Sequence, residues 1–139
     1  MISDYVLTEA DALHRRKCED PVAMGSYTLD SHNCSRFVRD GRVLNEGDVQ
    51  LPPAGPYGVS YRSLVPARGE CTNLLVPVCL SSSHIAYGTV RMEPVFMAMA
   101  ESAALAAVIA IRKNISVQDV PYADLRRELD AASQVLENQ

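Results

Sequence analysis

The sequence lacks most of the short signatures that identify a function directly. No two of its four cysteines, Cys18, Cys34, Cys71 and Cys79, are spaced as Cys-x-x-Cys, so neither a zinc ribbon nor an iron–sulfur cluster is indicated. Free thiols in a reducing compartment are therefore the simplest interpretation. The chain has no Gly-x-Ser-x-Gly elbow, which argues against a serine hydrolase of that type.

An excess of positive charge is also missing. The formal net charge is −4 at pH 7 and no basic stripe carries interleaved aromatic residues, so no nucleic-acid partner is expected. The first residues have neither a charged n-region nor an apolar h-region, so we expect no signal peptide and a cytoplasmic location. The run Val95 to Ile111 is short for a bilayer and contains Glu101, so no membrane span is expected.

The composition is that of a globular protein. The 139 residues are 47% apolar and 22% charged, which predicts a single domain over residues 1–139. A β-rich part over residues 1–72 precedes a strand and two helices over residues 73–139. We expect an α/β fold, or α+β if the chain is a fragment of a larger protein.

The first half shows strand and turn signals. Strands are predicted at Tyr5 to Thr8, at Ala23 to Leu29, and at Val59 to Val65, which ends before Pro66. Asp40-Gly41 separates two strand-like runs and predicts a tight hairpin. Because the first strand begins with no turn before it, we expect the chain to be the later part of a longer protein.

The second half predicts a buried strand, a polar loop and a buried helix. Leu74 to Val78 is a short apolar run typical of a central strand, and Ser81 to Gly88 is too polar to continue it and ends in a glycine typical of loops. Pro94 is favourable at the first position of a helix whose apolar run reaches Ile111, and Lys113-Asn114 predicts its C-terminal end. That helix is apolar nearly all round, so burial is expected. Its small residues form one flat stripe: Ala100, Ala103, Ala104 and Ala107.

A last helix is predicted to open at Pro121. Its inward residues are Tyr122, Leu125, Leu129, Ala132 and Leu136. The start of the preceding long helix follows a loop that carries His84, Arg91 and Glu93. Free N–H groups, the helix dipole and Arg91 together predict a site for an anion or an electron-rich ring oxygen.

Four segments resemble the C-terminal part of the FAD-dependent oxidoreductase family. This family is often labelled xanthan-lyase-like and is related to the flavin subunit of heterodisulfide reductase. The segments follow the family's order and spacing and cover nearly the whole chain: Ser3-Asp-Tyr-Val-Leu-Thr8, Asp20-Pro-Val-Ala-Met-Gly-Ser-Tyr-Thr-Leu-Asp-Ser-His32, Tyr57-Gly-Val-Ser-Tyr-Arg-Ser-Leu-Val-Pro66 and Asn73-Leu-Leu-Val through Ser-Ser-His84-Ile-Ala-Tyr-Gly-Thr-Val-Arg91-Met-Glu-Pro94.

The resemblance implies a two-part flavoenzyme that exchanges a hydride or electrons between FAD and a small molecule. The N-terminal Rossmann half would hold FAD through Gly-x-Gly-x-x-Gly, which this sequence does not contain. The region present here would supply the substrate-side sheet, the last Rossmann strand and a helix facing the flavin. The chain also departs from the family at Ala100-Glu101-Ser102-Ala103, in place of Gly-Gln-(Ala/Ser)-Ala, and at Pro77-Val78-Cys79, in place of Ala-Gly-Arg. FAD is therefore not expected to bind to this chain alone.

The resemblance also implies roles for individual residues. The catalytic candidates are His84, His32 and Arg62, and the candidates for cofactor binding are Ser83, His84, Arg91, Met92, Glu93 and Pro94. Each has a structural alternative. Arg91 would pair with Glu93 or Glu101, the two histidines would order their loops, and Arg62 would pair across the sheet.

Three other classes of function remain open. A hydrolase would use one of Ser81 to Ser83 with His84 and Asp30, although adjacent serine and histidine rarely align as nucleophile and base. A metal site would draw its ligands from Cys18, His32, Cys34 and His84, although no pair has a typical ligand spacing. The third class is a non-catalytic domain whose partner is either the missing FAD-binding half or a second copy of itself.

Overall fold

The strands of this protein pair into three separate ribbons, seen in a computed structural model that describes residues 1–137. The strands are β1 (Pro21–Gly25), β2 (Leu29–Ser31), β3 (Ser35–Arg39), β4 (Arg42–Glu46), β5 (Val49–Leu51) and β6 (Tyr57–Ser60). The helices are α1 (Glu9–Ala12), α2 (His84–Val90), α3 (Glu93–Lys113) and α4 (Tyr122–Ala131), with 3₁₀ turns at Tyr61–Ser63 and Val117–Asp119. Small sheets combined with helices confirm the predicted mixed α/β class.

The core is built on the ribbon of β1 and β6. The two strands are antiparallel, Val22, Ala23 and Val59 are fully buried, and β1 packs against α3. The buried hydroxyl of Ser102 on α3 donates to the carbonyl of Val22 at 2.6 Å and fixes the helix to β1. Burial of these apolar groups is the main source of stability here.

The hairpin of β3 and β4 confirms the turn predicted from Asp40-Gly41. Asp40 has φ 52° and Gly41 has φ 70°, so both central residues are left-handed as a type I′ turn requires. Val38 pairs with Val43 across the ribbon, and both remain exposed. The ribbon of β2 and β5 is shorter and places Asp30 opposite Gln50.

Three predicted strands differ from the structure. Tyr5 to Thr8 forms only one parallel bridge, between Leu7 and Ser82. The predicted strand at Ala23 to Leu29 is instead the end of β1 and the start of β2, separated by three residues. The strand predicted at Val59 to Val65 ends at Ser60, where the chain turns into a 3₁₀ helix.

The prediction of a central strand at Leu74 to Val78 was wrong, because this segment has no strand assignment. A strand needs a neighbour to satisfy its backbone, and no strand of the described residues lies beside it. Among the described residues, the one backbone–backbone hydrogen bond made by this segment joins the N–H of Val76 to the carbonyl of Leu64 at 2.8 Å. The predicted burial was also wrong in part, because Leu74 and Val78 are exposed and Leu75 is the residue of this run that packs against the core.

The predicted polar loop at Ser81 to Gly88 was also wrong, because α2 occupies most of it. The hydroxyl of Ser83 accepts a hydrogen bond from the N–H of Ala86 and caps the first turn. The serines that suggested a loop thus include the N-cap of a helix. Gly88, which suggested a turn, lies inside that helix.

The long helix α3 begins at Glu93, with Pro94 in its first turn, and ends at Asn114 in the left-handed conformation, close to prediction. Burial on all sides was wrong, because only one face is buried. Met97 and Ile111 are 72% and 78% exposed, and Ala100 and Ala104 of the small-residue stripe are exposed too. With a mean hydropathy of 1.9, α3 is long and apolar enough to cross a membrane, a property that core helices of soluble proteins share.

The last helix, α4, begins just after Pro121 as predicted. Leu125 and Leu129 are fully buried against the core, and Leu136 is buried beyond the end of the helix. Tyr122 is half-buried, and its hydroxyl donates to the carbonyl of Pro21 at 2.8 Å. Ala132 was wrongly placed in the inward set, because it is exposed at the C-terminal end of the helix.

Candidate functional site

A cleft of about 270 Å³ lies between the end of β2 and one side of α2. It collects three of the predicted site residues, His32, His84 and Arg91, from positions far apart in the sequence. The complete lining is Asp30, Ser31, His32, Asn33, Cys34, His84, Tyr87, Gly88 and Arg91. Nearly all of these residues can donate or accept hydrogen bonds, so the cleft suits a polar or anionic group.

An ion pair between Asp30 and Arg91 forms the floor of this cleft. The carboxylate of Asp30 is 9% exposed and accepts from Nη2 of Arg91 at 2.5 Å and from the amide of Gln50. Nε of Arg91 also donates to the carbonyl of Gly88 at 3.3 Å. The alternative pairing of Arg91 with Glu93 or Glu101 was therefore wrong, and Asp30 holds the guanidinium at the cleft.

The hydrogen bond and the charges around Asp30 favour its ionised form. Its hydrogen bond from Gln50, together with the charges of His32 and Arg91, lowers the pKa of the carboxyl below its ordinary value, although burial acts in the opposite direction. Nε2 of His32 lies 3.4 Å from Oδ2 of Asp30. Asp30 thus holds Arg91 at the cleft, while the exposed His32 lies within ion-pair distance of the same carboxylate.

A close approach of backbones makes this arrangement possible. An ideal Cβ on Gly88 would lie 2.4 Å from the carbonyl oxygen of Asp30, nearer than any real contact of this kind. Only glycine allows α2 to lie this close to β2. The sequence contained this signal in Gly88, which we interpreted as loop punctuation.

The start of α3 lies beside the cleft. The ring of Tyr87, which lines the cleft, and the ring of Phe96 in the first turn of α3 have centroids 6.4 Å apart. Met92 is half-buried as the N-cap residue, whereas Glu93 and Pro94 are exposed. His84 is exposed in the first turn of α2, next to the capping hydroxyl of Ser83. Of the six predicted cofactor-binding residues, His84 and Arg91 line the cleft, and the other four, Ser83, Met92, Glu93 and Pro94, do not.

Arg62, the third catalytic candidate, lies outside this cleft. It binds the carboxylate of Asp20 through Nε at 3.1 Å and Nη2 at 3.2 Å, and its guanidinium stacks on the ring of Tyr5 at 4.7 Å. Because Asp20 precedes β1 and Arg62 follows β6, this is the pairing across the sheet that we considered as its structural alternative. A catalytic role for Arg62 stays a prediction.

We expect Arg62→Ala to destabilise the protein by about 1 kcal/mol, measured by urea denaturation. The substitution leaves the buried carboxylate of Asp20 without its cation, while the hydroxyl of Ser60 still donates to it at 2.6 Å. The side chain of Arg62 is half exposed, so solvent weakens the lost interaction. A loss below about 0.3 kcal/mol would show that the pair contributes no net stability.

A second, larger cavity of about 590 Å³ contains none of the predicted catalytic or cofactor-binding residues. It lies between the chain after α1, the ribbon of β1 and β6, and the start of α4. Its only thiol is that of Cys18, whose pKa burial raises to about 11, so the thiol is protonated at neutral pH. Within the described part of the chain, no group of three histidine, cysteine or acidic residues could hold a metal ion.

The comparison with protein families connects this cleft to a class of enzyme. The family model described as FAD dependent oxidoreductase matches residues 1–129, which include the whole cleft. The chain belongs to the FAD-dependent oxidoreductase family. No curated protein and no solved structure matches it. The resemblance drawn from the four sequence segments is thus confirmed at the level of the family.

The described residues contain no dinucleotide-binding unit of the Rossmann type. A dinucleotide is held by a parallel βαβ unit with a glycine-rich turn. Residues 1–137 instead contain antiparallel strand pairs and the isolated parallel bridge of Leu7 with Ser82. The donors in the cleft suit a smaller target, namely an electron-rich ring edge or an anionic substrate group.

Proposed function

We propose that this chain is the substrate-side part of an FAD-dependent oxidoreductase that moves a hydride or electrons between a small molecule and FAD. The match to the family model over residues 1–129 is the observation that carries the proposal. The nucleotide part of FAD would be held by a Rossmann half, supplied by another segment or another chain. On this proposal the chain alone is inactive.

The residues of the cleft would bind and orient the reactants. When bound, the flavin supplies the two-electron chemistry. Arg91, oriented by Asp30 at 2.5 Å, would stabilise negative charge at the ring or on the substrate. His84 and His32 are exposed at the cleft and would hold or release a proton for the substrate. Tyr87 would provide an apolar wall beside them.

A second candidate function is that of a non-catalytic, self-associating domain. The observation in its favour is the exposed apolar face of α3, with Met97 and Ile111 mostly in solvent. Such a face is typical of a surface that meets another protein. Self-association through this face is compatible with the oxidoreductase proposal, because the cleft and the face consist of different residues.

Visible absorbance of the purified protein tests the enzyme proposal. We expect the chain alone to be colourless after incubation with FAD, and to become yellow in complex with a polypeptide that carries the Gly-x-Gly-x-x-Gly half. Stoichiometric binding of FAD by the chain alone would overturn the need for a partner. A colourless complex would overturn the assignment of this chain as part of a flavoenzyme.

In that flavin-containing complex, Arg91→Met should make the two-electron reduction potential more negative by about 30 mV or more. Removal of a positive charge destabilises the reduced, negatively charged flavin, and 30 mV corresponds to about 1.4 kcal/mol. Dye-equilibrated reduction measures the change, with Arg127→Met on the exposed side of α4 as the matched control. An unchanged potential in the Arg91 variant would place the guanidinium away from the flavin.

A further inference from the structure

One side of α3 has no partner within residues 1–137. Its centre is an apolar row spaced by three, four, four and three residues: Met97, Ala100, Ala104, Val108 and Ile111. Met97, Val108 and Ile111 are 72%, 40% and 78% exposed. At 1.5 Å per residue the row is about 21 Å long. An apolar row of this length is unusual on the surface of a monomer and marks an interaction surface.

We propose that this face binds the same face of a second copy of the chain, with the two α3 helices antiparallel about a twofold axis at Ala104. The proposal rests on the second candidate function, self-association, and is independent of the flavoenzyme assignment. In a twofold contact each residue faces the one at the same distance on the other side of the axis. The row meets this requirement, because the positions of Met97 and Ile111, and those of Ala100 and Val108, are symmetric about Ala104.

The sizes of the side chains fit this pairing. Met97 of one copy would face Ile111 of the other, so the two large residues meet at each end of the contact. Ala100 would face Val108, and Ala104 would face its own copy at the axis. Small residues at the centre permit the helix axes to approach to about 8 Å. The same row therefore presents a surface that complements itself.

The charges at the two ends favour an antiparallel over a parallel arrangement. Glu93 precedes the row and Arg112 follows it, and both are exposed. Within the described part of the chain, neither side chain has an ion-pair partner within 4.0 Å. Antiparallel helices bring Glu93 of each copy to the end that carries Arg112 of the other, whereas parallel helices bring like charges together. Each exposed pair adds up to about 1 kcal/mol, enough to set the direction.

Shallow grooves at both ends of the row extend the contact. The groove at Met97 has a volume of about 490 Å³ and includes Met24 and Val135, and the groove at Ile111 has about 470 Å³ and includes Leu75. In the antiparallel arrangement, Met97 of one copy lies at the mouth of the groove beside Ile111 of the other. One helix pair alone falls below the area of a stable interface, about 1,200 Å², so we expect a weak, concentration-dependent dimer.

Analytical ultracentrifugation of the full chain over a range of concentrations tests the proposal. We expect the mass to rise with concentration from 15.2 kDa towards twice that value. Ala104→Glu should abolish the rise, because it places two carboxylates at the axis. Ala123→Glu, on an exposed position of α4, is the matched control and should leave it unchanged. Circular dichroism verifies that both variants retain the helical content of the wild type.

Two further variants test the geometry. In a background with the exposed Cys34 and Cys79 replaced by serine, Ala104→Cys should form a disulfide-linked dimer on oxidation. Met97→Cys should not, because its two copies would lie about 21 Å apart along the helices, beyond the reach of a disulfide. Glu93→Arg should weaken the dimer at least several-fold, and Glu93→Arg combined with Arg112→Glu should restore it.

Three outcomes would overturn the proposal. The first is a wild-type chain that stays monomeric at millimolar concentration, and the second is a dimer that Ala104→Glu does not weaken. The third is flotation of the wild type, but not of Ala104→Glu, with phosphatidylcholine–phosphatidylglycerol vesicles, which would assign the face to a lipid surface. None of these outcomes depends on flavin binding, so they leave the test of the enzyme proposal unaffected.

Discussion

Replacement of Gly88 by alanine is expected to destabilise the protein by about 3 kcal/mol. The added methyl group would lie 2.4, 3.0 and 3.1 Å from the carbonyl oxygen, carbonyl carbon and nitrogen of Asp30. All three are backbone atoms, so no side chain can rotate to make room. Either α2 or β2 must move, and the shift would separate Asp30 from Arg91 and open the cleft. Urea denaturation followed by circular dichroism measures the loss.

Whether Gly88→Ala lowers or raises the free energy of unfolding distinguishes the effect of tertiary packing from that of helix propensity. Alanine is favoured over glycine inside a helix by about 1 kcal/mol, so a Gly88 that merely belonged to a helix would give a stabilised variant. Gly69→Ala is the control, because a Cβ at the exposed Gly69 meets no atom within 4 Å. We expect that variant to change stability by less than about 0.5 kcal/mol. A Gly88 variant as stable as the wild type would contradict the close approach of α2 and β2.

The features that could be predicted from the sequence are those decided by a few neighbouring residues. Asp40-Gly41 forms the expected turn because the left-handed conformations of both residues are a local matter. The long helix starts at Glu93 and ends at Asn114 for the same reason, since Pro94 and Asn114 act on their own turns. The class of fold follows from these elements.

The features that could not be predicted depend on distant partners. Leu74 to Val78 has the composition of a strand, but a strand also needs a neighbour, and no strand of the described residues pairs with it. The structural alternative for Arg91 was a carboxylate nearby in the sequence, whereas its ion-pair partner, Asp30, is 61 residues away. Composition and residue spacing cannot predict a contact between residues so far apart in the sequence.

The candidate site illustrates both cases. His84 and Arg91 are close in sequence and both line the cleft, although a helix and not a loop connects them. His32 joined them only through the resemblance to the family, and the structure places it at the same cleft. Arg62 was grouped with them by the same resemblance but lies outside the cleft. It pairs with Asp20, because the start of β1 and the end of β6 lie side by side in the core ribbon.

Asp11→Asn is expected to destabilise the protein by about 2 kcal/mol at pH 7. The carboxylate of Asp11 is 3% exposed and accepts from Nε of Arg16 at 2.7 Å, from the N–H of Thr8 at 2.7 Å and from the hydroxyl of Tyr5 at 2.8 Å. Loss of one partner of a fully buried pair costs about 3–5 kcal/mol. Arg16 is 39% exposed and can return to water, which reduces that cost.

The pH dependence separates the charge of Asp11 from its shape. Burial raises the pKa of this carboxyl, but hydrogen bonds from Arg16, Thr8 and Tyr5 outweigh it and hold the pKa below the ordinary value. The stabilisation is therefore complete above the unfolded pKa, about 4, and is lost as the pH falls through the lower folded value. Denaturation from pH 6 to pH 2 should show a smaller acid-induced loss in Asp11→Asn than in the wild type. Asp48→Asn is the control, because Asp48 is exposed and has no ion pair within the described chain, and this variant should retain the full acid-induced loss. If the free energy of unfolding falls equally with pH in the two variants, Asp11 contributes through packing alone.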